Sequence, residues 1–346
     1  MRKKLISYAV KYLLPLVLTI LLLWYMFSKV DFRHMMDIIR DGVDYWWILL
    51  AMTISVFSHI FRAMRWRIQL RALDIRPPLT ALSCSIFGCY ALNLVFPRLG
   101  EVWRCTYIAG REKASFTKVL GSMVADRLAD TLMVATLTLL TFLVAAGALN
   151  SFLAKYPIGR DLLSLLGNAW FWLGLIICVA VVWCLMIFCR NTAPVRKITG
   201  MLQQLWQGFA VVTTMPGKWK FLGLTLCIWS CYYFQLYVAF FAFPFTRELC
   251  THPDLAYGLV PCLVAFVLSS IGMAVPSNGG LGPWNIAVMF GLAVYGVTDA
   301  QGTAFSMLQW SGQTVMLILL GIFTMIYISR TSKSGSELAA SFKTNS

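Results

Sequence analysis

The chain has 346 residues, 59% of them hydrophobic and 12% charged, with a mean hydropathy of +0.74. No soluble domain of this length hides that much apolar surface in one core, so the composition indicates an all-α, polytopic helical membrane protein. The 29 Lys and Arg against 14 acids leave a net charge of +15. Those basic residues cluster beside apolar runs, which marks membrane orientation and argues against nucleic acid as a partner.

Met1-Arg2-Lys3-Lys4 precedes an apolar run at about 12–28 that is followed by no small-residue cleavage site, so it reads as a retained span leaving the cytoplasm. Residues 32–40 carry apolar side chains at helical spacing and are expected to lie along the interface. A second span from about Trp46 returns inward and ends in Arg62, Arg65, Arg67, Arg71 and Arg76, a cytoplasmic cluster. The apolar stretch 79–96 is followed by a second basic set, Arg98, Arg104, Arg111, Lys113 and Lys118. A hairpin over 79–109, entering from the cytoplasm and returning to it, accounts for both basic sets better than a full crossing.

The span at about 119–146 runs outward, 155–161 forms a short external loop, and 169–189 returns. Residues 195–212 are amphipathic and lie on the cytoplasmic surface, and the span at about 221–243 runs out again. No basic residue occurs between Asp254 and Asp299, so 256–297, broken at 276–283, is expected to be a hairpin entering from outside. A last span at about 303–329 ends in Arg330 and Lys333, followed by a Ser- and Lys-rich tail, 331–346, expected to be disordered in the cytoplasm. The layout is a single transmembrane domain over 1–330 with both termini inside. It comprises about six full spans and two opposed re-entrant hairpins, roughly eight to ten membrane helices if the arms are counted.

Three constellations place charge or bare backbone where apolar surroundings make both costly. On a helix starting near Leu99, Glu101 and Arg104 lie one turn apart and Arg98 stands at its N-terminal end. Two guanidiniums and a helix start can bind a phosphate head group, while the plainer reading is a positive-inside anchor with a local ion pair. Arg62 and Arg65, one turn apart beside Trp66, join that head-group set or simply snorkel at a span end. Asp126, Arg127 and Asp130 lie inside an apolar span, either as an internal ion pair that fixes packing, as partners of the Arg98 region or as a proton-linked carboxylate site. Pro276, Ser277, Asn278, Gly279, Gly280 and Gly282 form either a flexible loop or a gate with a backbone nest for an anion. The ten cysteines contain no Cys-x-x-Cys and the three histidines are isolated, so neither a metal nor another cofactor is expected. No P-loop sequence is present.

Four motifs, in order and spacing, carry a resemblance. They are Arg62-Ala63-Met64-Arg65-Trp66, Phe96-Pro97-Arg98-Leu99-Gly100-Glu101-Val102-Trp103-Arg104, Asp126-Arg127-Leu128-Ala129-Asp130 and Val275-Pro276-Ser277-Asn278-Gly279-Gly280-Leu281-Gly282. Over about residues 5–330 the chain resembles the flippase-like integral membrane family that includes the transmembrane region of lysylphosphatidylglycerol synthase, the multiple peptide resistance factor. The resemblance implies a lipid-translocating or lipid-binding role in a prokaryotic cytoplasmic (inner) membrane, with membrane lipids as partners and a separate lipid-modifying enzyme as a further one. Pro97-Arg98 and Asn278 depart from the family pattern, which leaves both an anionic phospholipid and a polyprenyl-phosphate-linked lipid as substrates. The sequence ends at Ser346 with no soluble aminoacyl-transfer domain, so lysyl transfer is not expected and the chain reads as a flippase-like transporter, not an enzyme. Two alternatives stand beside that reading. One is a membrane-embedded transferase using Asp126 and Asp130 on a lipid phosphate; the other is a non-transporting subunit of a partner synthase.

Overall fold

A computed structural model describes residues 32–40, 42–147 and 216–344, with a few positions between 168 and 177. The expected first span at 12–28, the loop at 155–161, most of the span at 169–189 and the segment 195–212 lie outside the described residues. Those described form helices and no strand. In chain order these are α1 (Phe32–Arg40), α2 (Tyr45–Arg71), α3 (Leu79–Val95), α4 (Leu99–Arg111) and α5 (Phe116–Val144). After the gap come α6 (Lys218–Phe240), α7 (Pro244–Leu249), α8 (Leu259–Gly272), α9 (Pro283–Ala293) and α10 (Asp299–Thr344).

Helices α2, α5, α6 and α10 are long and apolar enough to cross a membrane, at the places where the hydropathy predicts spans. The fifth apolar stretch of that length, Pro253–Gly272, is not one straight helix. Ala256, Tyr257 and Gly258 adopt left-handed φ values of 49°, 55° and 80°, which separate a 3-10 turn at Pro253–Leu255 from α8. The helix α10 continues to Thr344, through the stretch whose composition suggests a disordered tail; that stretch holds no proline to stop it.

The four remaining large helices are short, with 17, 13, 14 and 11 residues in α3, α4, α8 and α9. At 1.5 Å per residue they are about 16–26 Å long, less than the ~30 Å hydrocarbon core. They form two antiparallel pairs. The chain reverses at Pro97 and lays α4 back along α3 so closely that a side chain on Gly100 would overlap the Cys89 carbonyl. Likewise α9 folds back on α8, where a Cβ on Gly291 would lie 2.5 Å from the Cα of Ala265. We expect Gly100→Ala to destabilise the protein by about 1–3 kcal/mol through overpacking against backbone, read as a lower unfolding midpoint in detergent.

The interior has two apolar clusters, and α2 passes through both. Its first half, with Ile48, Ala51 and Met52, packs against α6 and α10 and belongs to a cluster that continues into α8 and α9. Its second half, with Ala63, Trp66 and Leu70, packs with α3, α4 and the start of α5. Arg62 and Arg65 fall where one cluster gives way to the other. On the outside, α5 and α10 expose large apolar residues such as Leu139, Phe142, Leu319 and Phe323, as lipid tails require. Alongside this bundle lies α1, which packs against α10 and buries Met35.

Candidate functional site

One helical turn separates Arg62 from Arg65 on α2 and Asp126 from Asp130 on α5, so each helix presents a like-charged pair on one face. The two pairs interlock. Arg62 Nη1 lies 2.7 Å from Asp130 Oδ2 and 3.3 Å from Asp126 Oδ2. Arg65 Nη2 lies 2.7 Å from Asp126 Oδ1 and 2.8 Å from Asp130 Oδ1. All four side chains are buried. From α6, the Tyr232 hydroxyl accepts from Arg62 Nε and Nη2 at 3.3 and 3.1 Å, and the Thr225 hydroxyl accepts from Arg65 Nη1 at 3.2 Å. Removing such charges from water costs several kcal/mol per ion, and only multiple pairing with extra donors and acceptors offsets it. Beside this group lies the buried imidazole of His59, with its ring 4.6 Å from that of Tyr90 on α3.

A second ion pair joins the reversal after α3 to α5. Arg127 Nη2 donates to Glu101 Oε1 at 2.9 Å, and Arg127 Nη1 lies 4.0 Å from Asp130 Oδ2. Asn93 reads both ends of the turn: its Nδ2 donates to Glu101 Oε2 at 3.3 Å, while its Oδ1 accepts from the Gly100 amide at 2.9 Å. That contact satisfies one of the free amides at the start of α4. Three arginines and three carboxylates thus form one connected, charge-balanced network: Arg62, Arg65 and Arg127 with Asp126, Asp130 and Glu101.

Arg104 stands apart from it. The residue is 0% exposed, and its guanidinium lies 4.6 Å from the centre of the Trp66 ring. Trp66 is itself held by donation from Nε1 to the Ser122 hydroxyl at 2.9 Å. Among the described residues, none of the three guanidinium nitrogens of Arg104 has a hydrogen-bond partner.

Arg98 stands just before the first turn of α4 in a left-handed conformation, φ 61°, and is exposed. Its Nη2 donates to the Ala274 carbonyl at 3.4 Å. Asn278 Nδ2 donates back to the Val95 carbonyl at 3.3 Å. Between them, Gly279 lies against Leu94, and the Gly279 carbonyl accepts from Trp310 Nε1 at 2.9 Å. The 276–283 segment makes this approach through left-handed Gly279, Gly280 and Gly282, and the Gly282 amide is capped by Asn285 Oδ1 at 3.0 Å. Ser277 stays local, its hydroxyl donating to the Val275 carbonyl at 3.5 Å. The two breaks in the chain therefore meet tip to tip.

This arrangement divides the residues that the sequence groups together. Arg62 and Arg65 pair with Asp126 and Asp130, while the Arg98 region is reached only through Arg127, which pairs with Glu101. Glu101 orients Arg127 and not Arg98 or Arg104. The sequence reading misses Tyr232 and Thr225 altogether, and it includes Asn93 in the run 93–104 without giving it a role. The matched one-turn spacing of Arg62/Arg65 and Asp126/Asp130 was a usable signal for their pairing; no comparable signal marks the three hydrogen-bonding residues. Among the described residues no group of three His, Cys, Asp or Glu side chains could hold a metal ion.

The fold and these contacts define a class: a multi-pass α-helical membrane protein with a buried arginine–carboxylate network beside two apposed chain breaks. The family model described as lysylphosphatidylglycerol synthase TM region matches residues 12–321, and the chain belongs to that membrane lipid-related family. Glycosyltransferase AglD of Haloferax volcanii is similar, 31% identical over 138 residues, which is 39% of this chain and 22% of that protein. The chain thus matches about a fifth of the length of this relative. No solved structure matches the chain.

Proposed function

We propose that the protein binds an anionic phospholipid or a polyprenyl-phosphate-linked lipid and carries its head group across a prokaryotic cytoplasmic membrane, without changing it chemically. The observation that carries this reading is the meeting of the two chain breaks beside the buried charge network. Helices too short to cross serve as opposed re-entrant hairpins, α3–α4 from the cytoplasm and α8–α9 from outside. Backbone breaks and charges at membrane depth are tolerated where protein or water receives them, and a polar head group needs the same surroundings. In this mechanism Arg98 meets the lipid at the junction, Glu101 holds Arg127 in place, and the Gly-rich tip is the outer gate. A separate lipid-modifying enzyme would supply the lipid.

The test is leaflet-to-leaflet movement of a labelled anionic lipid in vesicles containing the purified chain. Arg98→Ala and Glu101→Ala are each expected to slow it by about tenfold or more, the loss of one charge-assisted contact. Unchanged movement in both variants would remove these residues from the site. A chemically altered lipid that stays in its leaflet would favour the membrane-embedded transferase.

A further inference from the structure

Among the described residues, Arg104 is a fully buried charge with no carboxylate partner. The connected network is already neutral, with three arginines against three carboxylates. Arginine cannot shed its proton to escape burial, and its planar group carries five N–H donors. One face of that group rests on Trp66, which relieves part of the desolvation cost but engages no donor. All three nitrogens are buried and unpartnered. Gln69, one turn beyond Trp66 on α2, is also buried with both side-chain amide atoms unpartnered.

We propose that Arg104 is the residue that binds the phosphate of the lipid head group, and that the site takes a singly charged phosphodiester in preference to a diphosphate. This rests on the lipid-translocation reading and adds to it that Arg104 holds the phosphate in the interior, beyond the exposed Arg98 that meets the lipid at the junction, and how much charge is accepted there. Arg62, Arg65 and Arg127 are held by carboxylates and act as positioning residues. A phosphodiester neutralises Arg104 and accepts its paired N–H donors bidentately. A diphosphate would bring at least one further negative charge into the same interior, where Arg62, Arg65 and Arg127 are already held by carboxylates.

The experiment measures ligand-induced thermal stabilisation of the full chain in detergent. The probes are phosphatidylglycerol, net-neutral phosphatidylcholine, undecaprenyl diphosphate and inorganic phosphate. For wild type, phosphatidylglycerol is expected to half-saturate at about one-tenth the concentration of either other lipid, one paired charge's worth of discrimination. Inorganic phosphate is expected to give no shift at millimolar concentration. Arg104→Met is expected to erase the preference and, without added lipid, to melt at or above the wild-type temperature, because an unbalanced buried charge has been removed. Arg104→Lys, which keeps the charge but loses the planar fork, is expected to retain part of the preference.

A Met variant that fails to fold or melts below wild type would make Arg104 a structural residue and overturn the proposal. Full retention of the lipid preference in that variant would overturn it equally. Tighter binding of the diphosphate lipid would overturn the single-charge assignment, and an equal shift from inorganic phosphate would overturn the lipid source. None of these readings requires transport. A wild-type protein that binds through Arg104 yet moves no lipid would contradict the translocation reading alone.

Discussion

Replacing Asp126 with asparagine is expected to destabilise the folded chain by about 3–5 kcal/mol, the cost of leaving a buried ion without its partner. The carboxylate of Asp126 contacts both Arg62 and Arg65, and its side chain is fully buried. Asparagine keeps the shape but withdraws one negative charge from a network that is otherwise balanced. Coupling distinguishes this from ordinary loss of packing. Combining Asp126→Asn with Arg65→Met removes one charge of each sign, and the double variant should recover at least about 1 kcal/mol relative to the sum of the two single changes. Reversible unfolding in mixed micelles measures both values. Strict additivity would mean that the ion pairs contribute no more than their separate contacts with the surroundings.

The second large effect concerns the junction of the two breaks. At Gly279 a Cβ would sit 2.6 Å from Leu94 Cδ2, and the backbone there has φ 58°. Gly279→Ala is therefore expected to cost about 1–2 kcal/mol for the left-handed conformation. It should cost about 1–3 kcal/mol more for the overlap. Movement of labelled lipid between leaflets should fall with it, because the two tips no longer meet in register. Shortening the opposing side chain with Leu94→Ala relieves the overlap but not the backbone strain, so the double variant should recover part of both stability and transport. Absence of any recovery would separate the two breaks functionally, however close they lie.

Much of the helical layout was legible in the chain because hydropathy acts on long segments. The spans that became α2, α5, α6 and α10 stand out by length alone, and the breaks at Pro97 and at 276–283 by proline and glycine. Pairing across helices was not legible. Arg62 and Arg98 are both arginines beside an apolar run, and nothing local says that one is buried among carboxylates while the other is exposed at a helix cap. That difference is set by which helix packs where. Tyr232 and Thr225 are ordinary residues of an apolar span until α6 lies against α2. Arg104 is the clearest case: its charge was visible in the sequence, whereas its lack of a partner exists only in the packed bundle.

The most direct test of the central claim is to identify, by mass spectrometry, the lipid that stays bound when the full chain is extracted gently from membranes. The expected result is an anionic lipid with one phosphodiester, retained by wild type and lost from Arg104→Met. Retention of only neutral or zwitterionic lipid, or the same lipid at the same occupancy in both proteins, would contradict the account.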